Sequence, residues 1–216
     1  MKFHFNKTNT FCISLLSNPS RWSRMEKRFS HFGLNCERFT AITPGDITDI
    51  FYHNLMDKPN VCACAQSHIN IWRKIVKQNM PYALILEDDA MFDQNWLSKL
   101  PNENDIDSNW DLILLNASEP TITHHKWTKA NEQYLTGGYI ISLAGAEHIL
   151  KMFDGCYCSA DWMTSRLQTR NRSYVYFPWL IIQEGTETTI GSNYQADHEK
   201  VIRCLNEVQY SIHNYI

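Results

Sequence analysis

The sequence predicts a single α/β domain of three layers, with helices on both faces of a mostly parallel central sheet. Short apolar segments with strand character alternate with helical segments over the first two thirds of the chain. One of them, residues 82–86, is an unbroken apolar run, as expected for a strand that is buried on both faces. A length of 216 residues suits one domain, so we expect residues 1–216 to form it.

The first predicted strand and helix lie near the start of the chain. Residues 11–16 are a short apolar run of strand type. Asn18 and Pro19 follow, and this pair is typical of a helix start because Asn caps a helix and Pro suits its first turn. Apolar side chains then recur at helical spacing at Trp22, Met25, Phe29 and Phe32. We therefore predict a strand, a loop and a helix that ends at Gly33.

The remaining predicted elements continue this alternation. Residues 36–41 form a second strand, and a loop leads to a helix with Val61, Ala65, Ile69, Trp72 and Val76 on one face. Further strands are predicted at residues 82–86, 110–115 and 139–142, and further helices at 144–152 and 161–168. Beyond Phe177 the pattern weakens, and we expect loops and edge pieces there.

The composition excludes several classes of protein. Lys and Arg number 20 against 23 Asp and Glu, so the net charge of -3 leaves no basic field for nucleic acid or anionic membranes. The N-terminus lacks the apolar run of a signal peptide, and no stretch approaches the roughly 18 apolar residues of a membrane span. We therefore expect no nucleic-acid partner, no transmembrane segment and a cytoplasmic location, with peripheral membrane association left open.

The seven cysteines include two CxC pairs, Cys62 with Cys64 and Cys156 with Cys158. Structural zinc sites usually space their cysteines as C-x2–4-C, which these pairs do not match. An odd number of cysteines without a secretory signal also disfavours a disulfide framework. The pattern therefore predicts reduced and mostly buried thiols.

Three consecutive acids, Glu87, Asp88 and Asp89, follow the central apolar strand, and we call them the acidic triplet. Ligands of α/β proteins bind at the carboxyl ends of strands, and adjacent carboxylates attract a cation. Carboxylate oxygens suit Mn²⁺ or Mg²⁺. Alternation along an extended chain predicts that Glu87 and Asp89 project to the same side. For the triplet taken alone, a solvated acidic turn stays an open alternative.

Six sequence segments are more informative about function together than singly. They are residues 12–15 with Arg21, Arg24 and Met25 after them; 64–72 (CAQSHINIW); 83–89 (ALILEDD); 110–115 (WDLILL); 139–142 (YIIS) with Gly145 and Ala146; and 159–162 (SADW). Together they resemble glycosyltransferase family 25, which includes bacterial lipooligosaccharide galactosyltransferases and collagen hydroxylysine galactosyltransferases. The likeness runs from about residue 11 to about residue 190. Asn60 and Ala63 stand where glycines are usual in the family.

The resemblance implies a GT-A type fold and a metal-dependent, inverting transfer. The reaction would move a hexose, galactose or glucose, from a UDP-sugar to a hydroxyl group of a glycan, glycolipid or glycoprotein acceptor. Glu87 and Asp89 are expected to hold Mn²⁺ or Mg²⁺, and His198 is a candidate late ligand. Asp161 is our candidate for the base that deprotonates the acceptor, with a helix cap as its plainer alternative.

Several further residues are candidates for contacts with the donor: Ser14, Leu15, Arg21, Ser67, His68, Asp88, Gly137 and Gly138. Their alternatives are structural, because His68 suits a hydrogen-bonded core, Arg21 a solvated helix face, and the two glycines a plain turn. Two rival functions also stay open. One is a non-catalytic module that binds a nucleotide-sugar or a glycan, and the other is a metal-dependent phosphohydrolase that uses the same acids.

Overall fold

The computed structural model describes residues 2–55, 57–185 and 194–216, with backbone alone for 194–197. A seven-stranded sheet lies at the centre of these residues. The strands are β1 (Thr10–Ser14), β2 (Glu37–Thr40), β3 (Tyr82–Glu87), β4 (Ala90–Phe92), β5 (Leu112–Leu114), β6 (Trp127–Lys129), β7 (Gly138–Ser142), β8 (Ser173–Tyr176) and β9 (Ile181–Gln183). The central order is β2-β1-β3-β7-β5-β8-β6, and β4 pairs with β9 in a separate small sheet.

The direction of the strands confirms the predicted mostly parallel sheet. Strands β2, β1 and β3 pair in parallel, and so do β5 and β8. Strand β7 runs antiparallel between β3 and β5, and β6 runs antiparallel to β8 at the edge. Within the described residues, β6 and β7 are thus the strands of this sheet that oppose the rest.

Five α-helices are present in the described residues: α1 (Pro19–Phe32), α2 (Pro59–Lys77), α3 (Leu143–Met152), α4 (Ala160–Leu167) and α5 (Tyr194–Glu207). The start and end of α1 agree with the prediction. Asn18 Oδ1 accepts the backbone N–H of Arg21 at 3.3 Å, and Gly33 ends the helix in the left-handed conformation at φ 62°. No helix in the described ranges has the length and hydropathy to cross a bilayer.

Strand β3 supplies side chains to two hydrophobic clusters, one on each face of the sheet. Ala83 and Ile85 belong to the cluster that contains Trp72 of α2, whereas Leu84 and Leu86 belong to the cluster that contains Met25 of α1. This alternation follows from the period of two in an extended chain. Strand β3 is therefore buried on both faces, as its apolar run predicted.

The C-terminal part of the chain differs from the prediction. We expected loops and edge pieces after Phe177, but Tyr194–Glu207 forms a helix. Leu205 is fully buried in the cluster on the α2 side of the sheet, and Val201 packs against that cluster. Contacts with distant parts of the chain therefore decide this helix. The Gly191 part of the predicted loop lies outside the described residues.

Candidate active site

Glu87 is the last residue of β3, and its carboxylate meets side chains from α2 and from the segment before β7. Thr136 donates its hydroxyl to Glu87 Oε1 at 2.7 Å, and His68 Nε2 lies 3.4 Å from the same oxygen. Burial raises the pKa of Glu87, but the contacts with His68 and Thr136 outweigh burial, so the pKa falls below its ordinary value. Polar neighbours therefore hold Glu87 in its charged form.

Asp88 and Asp89 lie in a turn and share one buried cation, Arg21 of α1. Arg21 Nε is 2.9 Å from Asp88 Oδ1, and Arg21 Nη2 is 2.9 Å from Asp89 Oδ2. The chain stops being extended after Glu87, so the alternation that would have grouped Glu87 with Asp89 does not apply. Arg21 is buried against the acids, and the alternative of a solvated helix arginine is wrong.

The pKa values of the two aspartates reflect how closely the charges lie. Burial raises the pKa of Asp88, while Arg21 and a hydrogen bond from Ser14 oppose the rise. Burial and then the charge of Glu87 raise the pKa of Asp89 to about 7, although Arg21 lowers it. The negative charge of the acidic triplet therefore exceeds what Arg21 neutralises.

Arg38, within β2, is a site residue that the sequence did not indicate. Its Nη2 donates to Ser14 Oγ at 3.2 Å and to the carbonyl oxygen of Leu15 at 3.0 Å. Its guanidinium also lies 4.7 Å from the centre of the Trp22 ring. These contacts place Ser14 and Leu15 beside Asp88, at the carboxyl end of β1. A single arginine in a short strand carries no sequence signal for such a role.

His68 belongs to a buried hydrogen-bonded network. Its Nδ1 is 2.8 Å from the Tyr139 hydroxyl, which also accepts the indole N–H of Trp72 at 3.0 Å. The His68 side chain is fully buried, as the core alternative predicted, yet its other nitrogen faces Glu87. The structure thus supports the core role of His68 and also places it at the acidic triplet.

Asp161 lies in the first turn of α4, on the same side of the molecule as the acidic triplet. Its Oδ1 accepts the backbone N–H of Trp162 at 2.7 Å. Burial raises the pKa of the Cys64 thiol well above its ordinary value, and the charges of the acidic triplet and of Asp161 raise it further. The charges of Asp161 and of the acidic triplet thus act on the same thiol, which puts the candidate base in the same region as the triplet.

Ser67 has a structural position on α2. It is fully buried, donates its hydroxyl to the carbonyl oxygen of Ala63 at 3.0 Å, and accepts the backbone N–H of Ile42 at 2.9 Å. These bonds fasten the loop after β2 to α2. A contact between Ser67 and the donor stays a prediction and would require Ser67 to move.

Gly137 and Gly138 lie where side chains would collide with the protein itself. A Cβ atom on Gly138 would lie 2.5 Å from Cδ1 of Ile181, and one on Gly137 would lie 3.0 Å from Oδ1 of Asn116. The glycines therefore allow β7 to pack closely against the segment around β9. Close approach of a sugar to their backbone stays a prediction.

Glu184 connects the acidic triplet to α1. Its backbone N–H donates to the carbonyl oxygen of Asp89 at 2.8 Å. Its carboxylate lies 3.0 Å from Arg24 Nε and 3.4 Å from Arg28 Nη2. Because Glu184 and the two arginines are distant in sequence, no local pattern predicted this contact.

His198 of α5 lies beside Gly185, the residue that follows Glu184. Gly185 has φ +75°, and a Cβ atom on it would be 2.3 Å from the His198 ring. His198 also lines a pocket of about 120 Å³ with Asn116, Trp179 and others. Among the described residues, His198 does not join the acidic triplet in a set of three close ligand atoms. Its role as a late metal ligand stays a prediction.

The residues fit a hard divalent cation in their chemistry. The acidic triplet offers carboxylate oxygens, which Mn²⁺ and Mg²⁺ prefer, and it carries more negative charge than Arg21 balances. Such ions commonly use one or two carboxylates and complete their coordination with substrate phosphates and water. A bound ion would share Asp89 with Arg21.

Comparison with known proteins identifies the family. Residues 7–131 match the family described as Glycosyltransferase family 25 (LPS biosynthesis protein). The chain belongs to glycosyltransferase family 25. The predicted resemblance is thus confirmed, and the mixed α/β fold with its mostly parallel central sheet agrees with the fold class that the resemblance implied.

Similar proteins within family 25 include longer animal proteins. A glycosyltransferase 25 family member of Drosophila melanogaster is 30% identical over 167 residues, which cover 65% of this chain and 27% of that protein. Procollagen galactosyltransferase 1 of Danio rerio is 27% identical over 170 residues, covering 65% of this chain and 28% of that protein. This chain therefore spans about a quarter of the length of these relatives.

Among solved structures, one match is a glycosyltransferase involved in the glycosylation of the major capsid of PBCV-1. It is 11% identical, with a TM-score of 0.40, and the match covers 90% of this chain and 98% of that chain.

Proposed function

We propose that this family 25 chain transfers a hexose from a UDP-sugar to a hydroxyl group of a glycan, glycolipid or glycoprotein acceptor. The observation that carries the proposal is the acidic triplet at the carboxyl end of β3, held by Arg21 and His68, with the charge of Asp161 of α4 acting in the same region. The names of the procollagen galactosyltransferases favour galactose over glucose as the transferred sugar. The predicted cytoplasmic location and single domain rest on the sequence alone.

The acidic triplet would act on the donor. Glu87 and Asp89 would hold Mn²⁺ or Mg²⁺, with His198 as a further ligand, and Asp88 would bind the ribose or the donor sugar. When bound, the ion would neutralise the charge that develops on the UDP leaving group. Arg21 binds both aspartate carboxylates and would thereby keep them in place beneath the donor.

Asp161 would act on the acceptor. In an inverting transfer, the acceptor hydroxyl oxygen bonds to the anomeric carbon while the bond from that carbon to the diphosphate oxygen breaks on the opposite face. The hydroxyl proton passes to Asp161, so the base ends the step protonated and UDP leaves as the anion. Asp161 belongs to α4 and the acidic triplet to the end of β3, so different elements would supply the two roles.

The test combines binding with turnover. The thermal unfolding midpoint is measured with UDP, UDP-galactose and UDP-glucose, each with Mn²⁺ and with EDTA, because a ligand that binds only the folded state raises it. Release of UDP is then measured with hydroxyl-bearing acceptors. Asp161→Asn should lower turnover by about 10²-fold or more and leave donor binding intact, whereas Asp154→Asn, an exposed surface change, should affect neither.

Each result separates the rival functions. Stabilisation by UDP-sugars that EDTA removes, together with UDP release, supports the transferase. Stabilisation without turnover for any acceptor would indicate a binding module. Hydrolysis of phosphate esters without sugar transfer would indicate a phosphohydrolase, and no response to any nucleotide would refute the donor site.

A further inference from the structure

We propose that Cys64, His68 and Glu87 form a binding site for a borderline divalent cation, with Zn²⁺ as the preferred ion. Cys64 and His68 lie one helical turn apart on α2, facing Glu87 at the end of β3. A sulfur, an imidazole nitrogen and a carboxylate oxygen from the three residues all lie within 4.8 Å of one another. Such a mixed set suits zinc, whereas Mg²⁺ and Mn²⁺ prefer oxygen ligands alone.

The position of His68 points to an ion. Its side chain is fully buried, and Nε2 has no hydrogen-bond partner in the described part of the chain. Nε2 lies 3.4 Å from Glu87 Oε1, which is longer than the roughly 2.7–3.2 Å of an N–H···O hydrogen bond. Two such atoms, each about 2.0–2.1 Å from one tetrahedral ion, would lie about 3.3–3.4 Å apart. The observed separation therefore matches a shared ion.

Tyr139 fixes the imidazole in an orientation suited to a metal ligand. Its hydroxyl accepts the Trp72 indole N–H at 3.0 Å and lies 2.8 Å from His68 Nδ1. With an ion bound, Nδ1 would donate its proton to this hydroxyl, and Nε2 would present its lone pair to the ion beside Glu87. Metal-binding histidines commonly have such a partner on the second ring nitrogen.

The site can be reached from solvent through Glu87. Three protein ligands leave one tetrahedral position for water, and the Glu87 side chain keeps 21% of its surface exposed. Cys64 would bind as the thiolate and release its proton to solvent. This site takes one member of the Cys62 and Cys64 pair and draws its other ligands from His68 and Glu87. The spacing argument against a CxC zinc site therefore does not apply to it.

The test uses Co²⁺ alone on the intact chain, as a spectroscopic substitute for Zn²⁺. We expect a thiolate-to-cobalt charge-transfer band and intense visible bands of four-coordinate Co²⁺, both removed by added Zn²⁺. Cys64→Ser should abolish the charge-transfer band. Cys62→Ser is the matched control, because Cys62 is a free cysteine on the same helix, two residues from Cys64, and it should keep the band.

Zinc-edge X-ray absorption of the wild-type protein gives a second measurement that needs no variant. It should report one sulfur among nitrogen and oxygen ligands. Absence of the charge-transfer band in the wild type, its persistence in Cys64→Ser, its loss in Cys62→Ser, or a zinc spectrum without sulfur would each overturn the site. Glu87 is common to this site and to the proposed Mn²⁺ or Mg²⁺ site, whereas Cys64 belongs to this site alone. Failure of the Cys64 readouts therefore leaves the proposed transferase activity untouched, and absence of UDP release leaves the cobalt bands as evidence for this site.

Discussion

Arg21 Nη2 lies 2.9 Å from Asp89 Oδ2, and less than a tenth of either side chain is exposed. The same guanidinium binds Asp88 through Nε. A planar guanidinium can bind two carboxylates at once, which a lysine ammonium at the end of a flexible chain does less well. One residue in the first turn of α1 therefore holds two of the three acids at the end of β3.

Replacing Arg21 should destabilise the fold strongly. Arg21→Met leaves two buried carboxylates without their cation, and we expect a loss of about 3–5 kcal/mol in the free energy of unfolding. Urea denaturation measures this loss. Arg24→Met is the control, because Arg24 is one third exposed where it meets Glu184, and it should cost less than about 1 kcal/mol. Equal losses in the two variants would contradict the central role of Arg21.

Two threonines test the hydrogen bond to Glu87. Thr136→Val removes the donor to a charged carboxylate and should cost about 1.5–3 kcal/mol of stability. Thr128→Val is the matched change, since the Thr128 hydroxyl is buried without a partner among the described residues, and it should be neutral or stabilising. Chemical denaturation compares the two, and a larger loss for Thr128→Val would argue against the assigned bond.

Gly145, at the start of α3, has no space for a side chain. A Cβ atom there would lie 2.2 Å from the backbone oxygen of Asp111. Backbone cannot rotate away as a side chain can, so Gly145→Ala should cost about 3 kcal/mol or more. Gly45→Ala, where no atom lies within 4 Å of the added Cβ, should change the thermal midpoint little. A small effect at Gly145 would show that α3 shifts freely.

The charge of Asp49 should make the free energy of unfolding depend on pH in the acid range. Burial raises its pKa, but hydrogen bonds donated to its carboxylate by Arg73 and Gln66 outweigh burial and lower the pKa. A carboxyl whose pKa is lower in the folded state stabilises the protein at pH values above its unfolded-state pKa of about 3.9. This stabilisation disappears as the pH falls through the folded-state pKa. Asp49→Asn should therefore cost roughly 1 kcal/mol at pH 7, since Arg73 is partly exposed.

Denaturation curves of the wild type and Asp49→Asn at several pH values check this expectation. The two proteins should become equally stable in acid. A difference that persists at low pH would show that the packing of the Asp49 side chain, rather than its charge, stabilises the loop against α2.

Local rules were sufficient for the elements whose stabilising contacts are close in sequence. The cap at Asn18, the stop at Gly33 and the apolar run of β3 each require a few neighbouring residues, and each was predicted correctly. The acidic triplet was identified for the same reason, because a strand end and its charges are visible together in the sequence.

Contacts between distant segments could not be predicted from local patterns. Helix α5 depends on burial of Leu205 against the core, and Arg38 reaches the site because β2 pairs with β1. Asp111 shows a related limit. It belongs to the 110–115 segment of the family resemblance, and the sequence predicted no role for it. The structure shows that its buried carboxylate forms an ion pair with Arg170, a residue far away in the sequence.

The alternation of side chains along β3 also restricts how the length of this strand can change during evolution. Leu86 belongs to the α1 face and Glu87 reaches His68 on the other face. Insertion or deletion of one residue within β3 would exchange these faces, placing a leucine beside His68 and a carboxylate among apolar side chains. Changes of two residues preserve the arrangement. We therefore expect length variation in homologous strands to occur in even steps or to be displaced into the flanking loops.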